Sequence, residues 1–197
     1  MRPTIISLVV LLTLLCSGSA SAQPAAWQFD RDHSNFYFEV RHIFSSIRGR
    51  FHDYSGTFRF DPDNPGEGVF DLNVRTQSID TDITKRDNHL RSEEFFHVSE
   101  HPMMRFASTA IRHVEGERYE VEGELSIRGV TRKKTFPFRF FGVKAHPLQK
   151  GMRVAGFETR FTLDRLEYGV GDGKYYKLGV AGRKIEIVVS LEMLQED

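Results

Sequence analysis

Apolar and polar residues alternate with a period of two along most of this chain, the pattern of strands with one buried and one wet face. Phe36, Phe38 and Val40 fall on one side of such a run, with Tyr37, Glu39 and Arg41 on the other. Tyr119, Val121, Gly123, Leu125 and Ile127 alternate with Glu120, Glu122, Glu124, Ser126 and Arg128. Ile185, Ile187, Val189, Leu191 and Met193 repeat the pattern near the C-terminus. Similar runs predict further strands at about 51–60, 69–75, 104–112, 133–142 and 153–163. Turn-forming residues punctuate them at Asp61-Pro62-Asp63-Asn64-Pro65-Gly66, Arg128-Gly129, and His146-Pro147 through Gly151. Roughly eight antiparallel strands in one all-β domain point to an up-and-down barrel or, failing that, a sandwich.

Two segments depart from the alternation. Arg86 to Pro102, RDNHLRSEEFFHVSEHP, is charged and helix-compatible, which predicts a short helical insert at about 84–98. A hairpin needs only a short polar turn, so an insert of this length reads as a lid or mouth over an apolar interior. Asp164 to Arg183 is rich in glycine and tyrosine, which disfavours a regular helix and predicts a long flexible loop. The two would share one barrel end.

The first residues change the picture of where the domain works. Arg2, the apolar run Ile5 to Leu15 and the small residues Ala20-Ser21-Ala22 form a signal peptide, residues 1–22, with cleavage expected after Ala22. The domain proper is then 23–197, periplasmic or secreted. No run approaches the roughly 20 apolar residues of a membrane-spanning helix. Cys16, the chain's one cysteine, would leave with the leader; Leu15 stands before it where a lipoprotein signal needs a small residue. A cysteine-free domain has no disulfide, thiol nucleophile or thiolate metal site, so its stability must come from its core. Charge is balanced, 27 basic against 27 acidic residues, which points to neither nucleic acid nor an anionic membrane as a partner.

Seventeen phenylalanines against one tryptophan are more than one narrow core needs, and a barrel of about eight strands either fills with side chains or holds one small ligand. Ordinary core packing remains the competing account of these rings. Catalytic signals are weak: Asp87 and His89 are two apart, a common spacing for local loop bonding, and no serine elbow, HExxH helix or glycine-rich phosphate loop accompanies them. His33, His42, His52, His89, His97 and His101 show no diagnostic ligand spacing, and Ser99 and Pro102 argue against a regular helix that would align His97 with His101. Neither catalytic nor metal-binding residues are expected, and no cofactor is required.

A more specific pattern is carried by Asp32-His33-Ser34, then His42, Gly49 and Phe51, then Phe58-Arg59-Phe60-Asp61-Pro62. It continues with Arg86-Asp87-Asn88-His89-Leu90-Arg91-Ser92, Phe95-Phe96 and Pro102, with Gly123 through Thr131, and with Asp164-Arg165 through Tyr168-Gly169. In this order the residues resemble the YceI family over nearly the whole exported part of the chain. The resemblance implies an extended eight-stranded antiparallel lipocalin-like β-barrel and a non-catalytic exported carrier or store of a long isoprenoid or related amphiphile. Where family members often carry Asp, Asp and Tyr, this chain has Glu94, His97 and His101, and Gly182-Arg183-Lys184 is basic where relatives tend to be acidic.

Such a ligand is physically reasonable, since each buried CH₂ contributes about 0.8 kcal/mol. Phe36, Phe38, Phe58, Phe95, Phe96, Phe106, Phe138 and Phe157 are the candidate channel wall, and Arg86, His89, Arg91, Arg165 and His42 the candidate head-group contacts. The arginines would meet a phosphate by charge-assisted bonds or a quinone or amide carbonyl by neutral ones. The bland alternative is that Arg86-Asp87 and Arg165-Glu167 pin loops to the barrel, and for Asp87 that alternative is favoured. Two further roles stay open: a metal-dependent or acid-base enzyme, and an interaction module for a membrane redox or transport partner. Apolar residues on strand edges would be the place for a homodimer contact.

Overall fold

The computed structural model describes residues 24–196, so the predicted leader lies outside the described residues. In chain order the strands are β1 (Ala26–Phe29), β2 (Asn35–His42), β3 (Ser45–Phe51), β4 (Tyr54–Arg59), β5 (Val69–Arg75) and β6 (Ile79–Asp80). Helix α1 (Thr84–Arg91) follows, then β7 (Met103–Glu115), β8 (Arg118–Ile127), β9 (Val130–Ala145), β10 (Met152–Asp164), the single helical turn α2 (Lys174–Lys177) and β11 (Ala181–Glu196). All pairings are antiparallel, and β11 pairs with β1 as well as with β2 and β10, which closes the sheet. β1 and β2 run in succession along β11, β3 and β4 succeed one another beside them, and β6 prolongs β5 against β3. The eleven segments are thus the eight staves of an up-and-down barrel. Closure leaves few unpaired strand edges.

The alternation places side chains as expected. Tyr119, Val121 and Ile127 of β8 are buried inside, while Glu120 and Glu122 point outward to Arg112 of the neighbouring β7. Val189, Leu191 and Met193 of β11 are buried as well.

The alternation recovered the first two staves only in part: the predicted strand at 51–60 misses most of β3, and β1 was missed because Asp30 to Ser34 interrupt the first stave. Ser34, 4 % exposed, donates its hydroxyl to the Glu192 carbonyl at 2.9 Å, and the Tyr54 hydroxyl donates to the Ser34 carbonyl at 2.9 Å. These bonds stitch the kink to β11 and β4, so that β1 closes one end of the barrel and β2 walls the other.

At the end formed by β1 the interior is filled. The Phe60 ring meets those of Tyr119, Phe138, Phe140 and Phe157 edge-on at 5.1–5.7 Å, and Phe58 stacks on Phe70 at 3.9 Å. Offset and edge-to-face geometry of this kind adds to the burial of the rings themselves. Trp27 covers the plug and donates its indole N–H to the Phe60 carbonyl at 3.1 Å.

The opposite end carries the two irregular segments. The helix of the insert ends at Arg91, short of position 98, because the chain turns extended at Ser92, whose hydroxyl bonds back to the His89 carbonyl at 2.7 Å. Phe95 and Phe96 then drop inward beyond the helix end. The 164–183 segment is more ordered than a flexible loop: a 3₁₀ turn spans Arg165–Tyr168 and α2 spans Lys174–Lys177. Glycines supply its reversals, since Gly169, Gly171, Gly173 and Gly179 all have positive φ. Arg128, at the β8–β9 tip, donates to the Gly169 carbonyl at 2.7 Å and the Glu93 carbonyl at 2.8 Å, tying the two segments together.

Candidate functional site

Between the aromatic plug and these segments lies a cavity of about 580 Å³, within the range of small-molecule sites. Its floor is Phe58, Phe70, Phe138 and Phe157, and its walls include Phe36, Phe38, Phe106, Leu72, Leu125 and Ile187. Phe95 and Phe96 face it from the insert, so all eight phenylalanines singled out in the sequence border this space. The tip of the Phe38 ring sits over Gly49 of its partner strand, where a Cβ would stand 2.4 Å from the ring. A glycine there is what lets the wall lie against the strand.

The polar groups gather at the mouth. Arg86, His89, Arg165 and His42 border the cavity, whereas Arg91 does not. The Arg91 guanidinium is spent on the carbonyls of Gln77 at 2.9 Å and Ile79 at 2.5 Å, which fasten α1 to the barrel. Arg86 donates to the Thr81 hydroxyl at 2.7 Å and carbonyl at 2.6 Å. Asp87, 5 % exposed, accepts from the backbone N–H and hydroxyl of Thr81, as the structural reading of this residue anticipated. His89 is 2.7 Å from the Glu94 carboxylate, with its ring edge-on to Phe95.

Arg165 differs from the other arginines. It is 8 % exposed, and Nε and Nη1 donate to the carbonyls of Gly182 at 2.9 Å and Val170 at 2.6 Å, while buried Nη2 has no hydrogen-bond partner among the described residues. Its side chain borders the cavity. A Cβ on Gly171 would stand 2.4 Å from Nη1, so the loop admits this guanidinium only with glycine there. Burial lowers the Arg165 pKa from its usual value, yet a guanidinium keeps its charge in water-accessible pH ranges. Glu167 is not its partner; that carboxylate pairs with Lys134.

Tyr168 is a group that the sequence reasoning missed. It is 1 % exposed, borders the cavity, and its hydroxyl also lacks a partner among the described residues. Burial pushes its pKa up to about 12, so it is a neutral donor at physiological pH. Its place in the Asp164 to Gly169 motif was the only available signal. Thr81 and Tyr175, which also border the cavity, had none.

Metal-ligating side chains do come together, although the i, i+4 spacing of His97 and His101 was discounted for want of a regular helix. His97, Glu100 and His101 bring donor atoms within 4.8 Å of one another, because one tight turn bonds the His101 N–H to the His97 carbonyl at 2.9 Å. A second group is Asp30, His33 and Glu192.

The sequence matches the YceI-like domain over residues 27–193. It is 32 % identical over 199 residues to UPF0312 protein ECA1782 of Pectobacterium atrosepticum, covering 100 % of this chain and 99 % of that protein. The fold is similar to the crystal structure of Burkholderia cenocepacia BcnA, with a TM-score of 0.75 at 20 % identity, covering 84 % of this chain and 99 % of that one. It is also similar to a polyisoprenoid binding domain from Saccharophagus degradans, with a TM-score of 0.58 at 12 % identity, over 87 % of this chain and 98 % of that one. With the family matched across nearly all the described residues, this chain belongs to the YceI-like proteins.

Proposed function

We propose that the protein is an exported, non-catalytic binding protein that holds a long-chain isoprenoid, quinone or related amphiphilic lipid, tail in the barrel and head at the mouth. The observation that carries this reading is an apolar cavity whose wall contains one buried guanidinium with a free N–H. A buried donor left without a partner costs roughly 1–3 kcal/mol, and more for a charged group. An acceptor on a lipid head removes that cost, while phenylalanines around it receive the tail. The Tyr168 hydroxyl supplies a second donor nearby in the chain, of the neutral kind that suits a carbonyl or a phosphate oxygen. The structural similarity to a polyisoprenoid binding domain supports the same class of cargo.

The test is mass spectrometry of the protein purified from its native compartment, under non-denaturing conditions and again after organic extraction. A discrete added mass that extracts as a prenyl lipid or quinone is expected. Phe38→Asp should fold yet lose that mass, because an unpaired carboxylate would sit against the tail. A bare protein mass together with no uptake of added prenyl lipids would sink the reading.

A further inference from the structure

Four large apolar side chains stand exposed beside the cavity mouth: Ile43 at 50 %, Phe44 at 91 %, Tyr176 at 47 % and Leu178 at 65 %. They come from two segments, the β2–β3 tip and the loop before β11, which are joined by a bond from the Ile43 N–H to the Val180 carbonyl at 3.0 Å. Chain neighbours of these four residues, His42, Ser45, Tyr175 and Val180, border the cavity. The exposed apolar cluster is therefore part of the rim.

Charge is distributed unevenly in the same place. The chain as a whole is neutral, but segments 39–48 and 172–184 hold six basic residues against two acidic ones. On the barrel wall basic residues are matched across strands, as in Arg105 with Asp71, Arg112 with Glu120 and Arg160 with Glu186. At the rim, Arg48 pairs with Glu39 and Arg183 with Asp164, leaving Arg41, Lys174, Lys177 and Lys184 without an ion pair among the described residues. Apolar side chains projecting from a basic collar fit an anionic lipid surface: the rings and aliphatic chains enter the headgroup region and the cations meet its phosphates.

We propose that this rim docks the barrel mouth onto an anionic phospholipid bilayer, with Phe44 and Leu178 inserted and Arg41, Lys174, Lys177 and Lys184 at the headgroups. A protein partner would need a groove for two separate protrusions, whereas a bilayer accepts them without one. The arrangement also lets a tail pass between membrane and cavity without crossing water. That purpose rests on the lipid-carrier reading; the docking itself does not.

Co-sedimentation of the purified protein with vesicles of phosphatidylglycerol and phosphatidylcholine, and with phosphatidylcholine alone, tests it. The anionic vesicles should bind the protein in a salt-sensitive manner. Phe44→Ser should weaken binding about tenfold, and Lys177→Glu by several-fold, with the melting temperature and any extractable lipid unchanged. Binding of Phe44→Ser equal to that of the wild type, or no binding by the wild type, overturns the proposal. So does a wild-type dimer that Phe44→Ser dissociates while vesicles bind neither, which would assign the rim to a second copy. If the protein carries no lipid yet Phe44→Ser still lowers vesicle binding, docking stands and the carrier reading fails. The converse result leaves the carrier reading intact and removes docking.

Discussion

The two ends of the barrel use phenylalanine in opposite ways. At the closed end Phe60 has ring neighbours on several sides, and its own carbonyl holds the Trp27 indole. Toward the mouth, Phe38 and Phe106 are only partly buried, packing on one side against other rings and on the other facing the cavity. The same residue type is thus a keystone where opposing strands bring rings together, and a wall where they do not. Hydrophobicity alone does not separate core from binding site; the number of sides on which a ring is packed does.

The sharpest way to break this contrast is to remove one ring from each end. Phe60→Ala should cost about 3–5 kcal/mol, since it leaves a hole among rings that cannot all close in. Phe106→Ala, which only enlarges an existing cavity, should cost less than about 2 kcal/mol. Chemical denaturation of both variants reads the difference, and equal losses would mean that the mouth half is packed as tightly as the plug. Lipid loading should shift the other way, with Phe106→Ala altering it and a folded Phe60→Ala leaving it intact.

A smaller effect is expected from the polar side of the mouth. Arg165→Ala should weaken an acceptor-headed lipid by about 1.5–3 kcal/mol, the usual worth of a hydrogen bond from a charged donor. Because Arg165 also bonds two loop carbonyls, the variant must be compared with Arg91→Ala, which likewise removes two carbonyl bonds but at a side chain that does not border the cavity. Isothermal titration with a short prenyl phosphate should find Arg91→Ala near the wild type and Arg165→Ala weaker. Equal affinities would make Arg165 a loop fastener like its neighbour.

That pair of arginines also marks how far the sequence could be read. Strands were legible because a period of two survives in any half-buried sheet; their number left barrel and sandwich open, and the resemblance to the YceI family pointed to the barrel. The kinked first stave was not, because Asp30 to Ser34 hide a continuous path that only Ser34 and Tyr54 hold in place. Arg86, Arg91 and Arg165 are equivalent as letters. Which one keeps a buried nitrogen without a partner depends on carbonyls that the fold brings up from Thr81, Gln77, Ile79, Gly182 and Val170, and no local pattern records that. The His97, Glu100 and His101 cluster was discounted for a related reason, since a tight turn rather than a helix brings the two histidines together.

The smallest effect belongs to the kink between the two halves. His33 lies 2.8 Å from the Asp30 carboxylate, and this hydrogen bond raises the imidazole pKa above its ordinary 6.5. Burial alone would raise the Asp30 pKa, but the bonds from His33 and from the Asp32 N–H outweigh it and leave the carboxyl below its ordinary 3.8. The Asp30 contribution to stability is therefore present above 3.8 and fades as pH falls through its lowered folded value, while that of His33 is present below 6.5 and fades as pH rises through its raised folded value. The pair is fully effective only between those two ordinary values. NMR titration should place the His33 midpoint above 6.5 in the wild type and return it toward 6.5 in Asp30→Asn. The gap in thermal stability between the two proteins should be widest inside the window and shrink above it. If lipid loading is unaffected by Asp30→Asn, the kink serves closure alone; if loading follows the same titration, the plug and the mouth are mechanically coupled through β2, and the division of labour between the two ends breaks down.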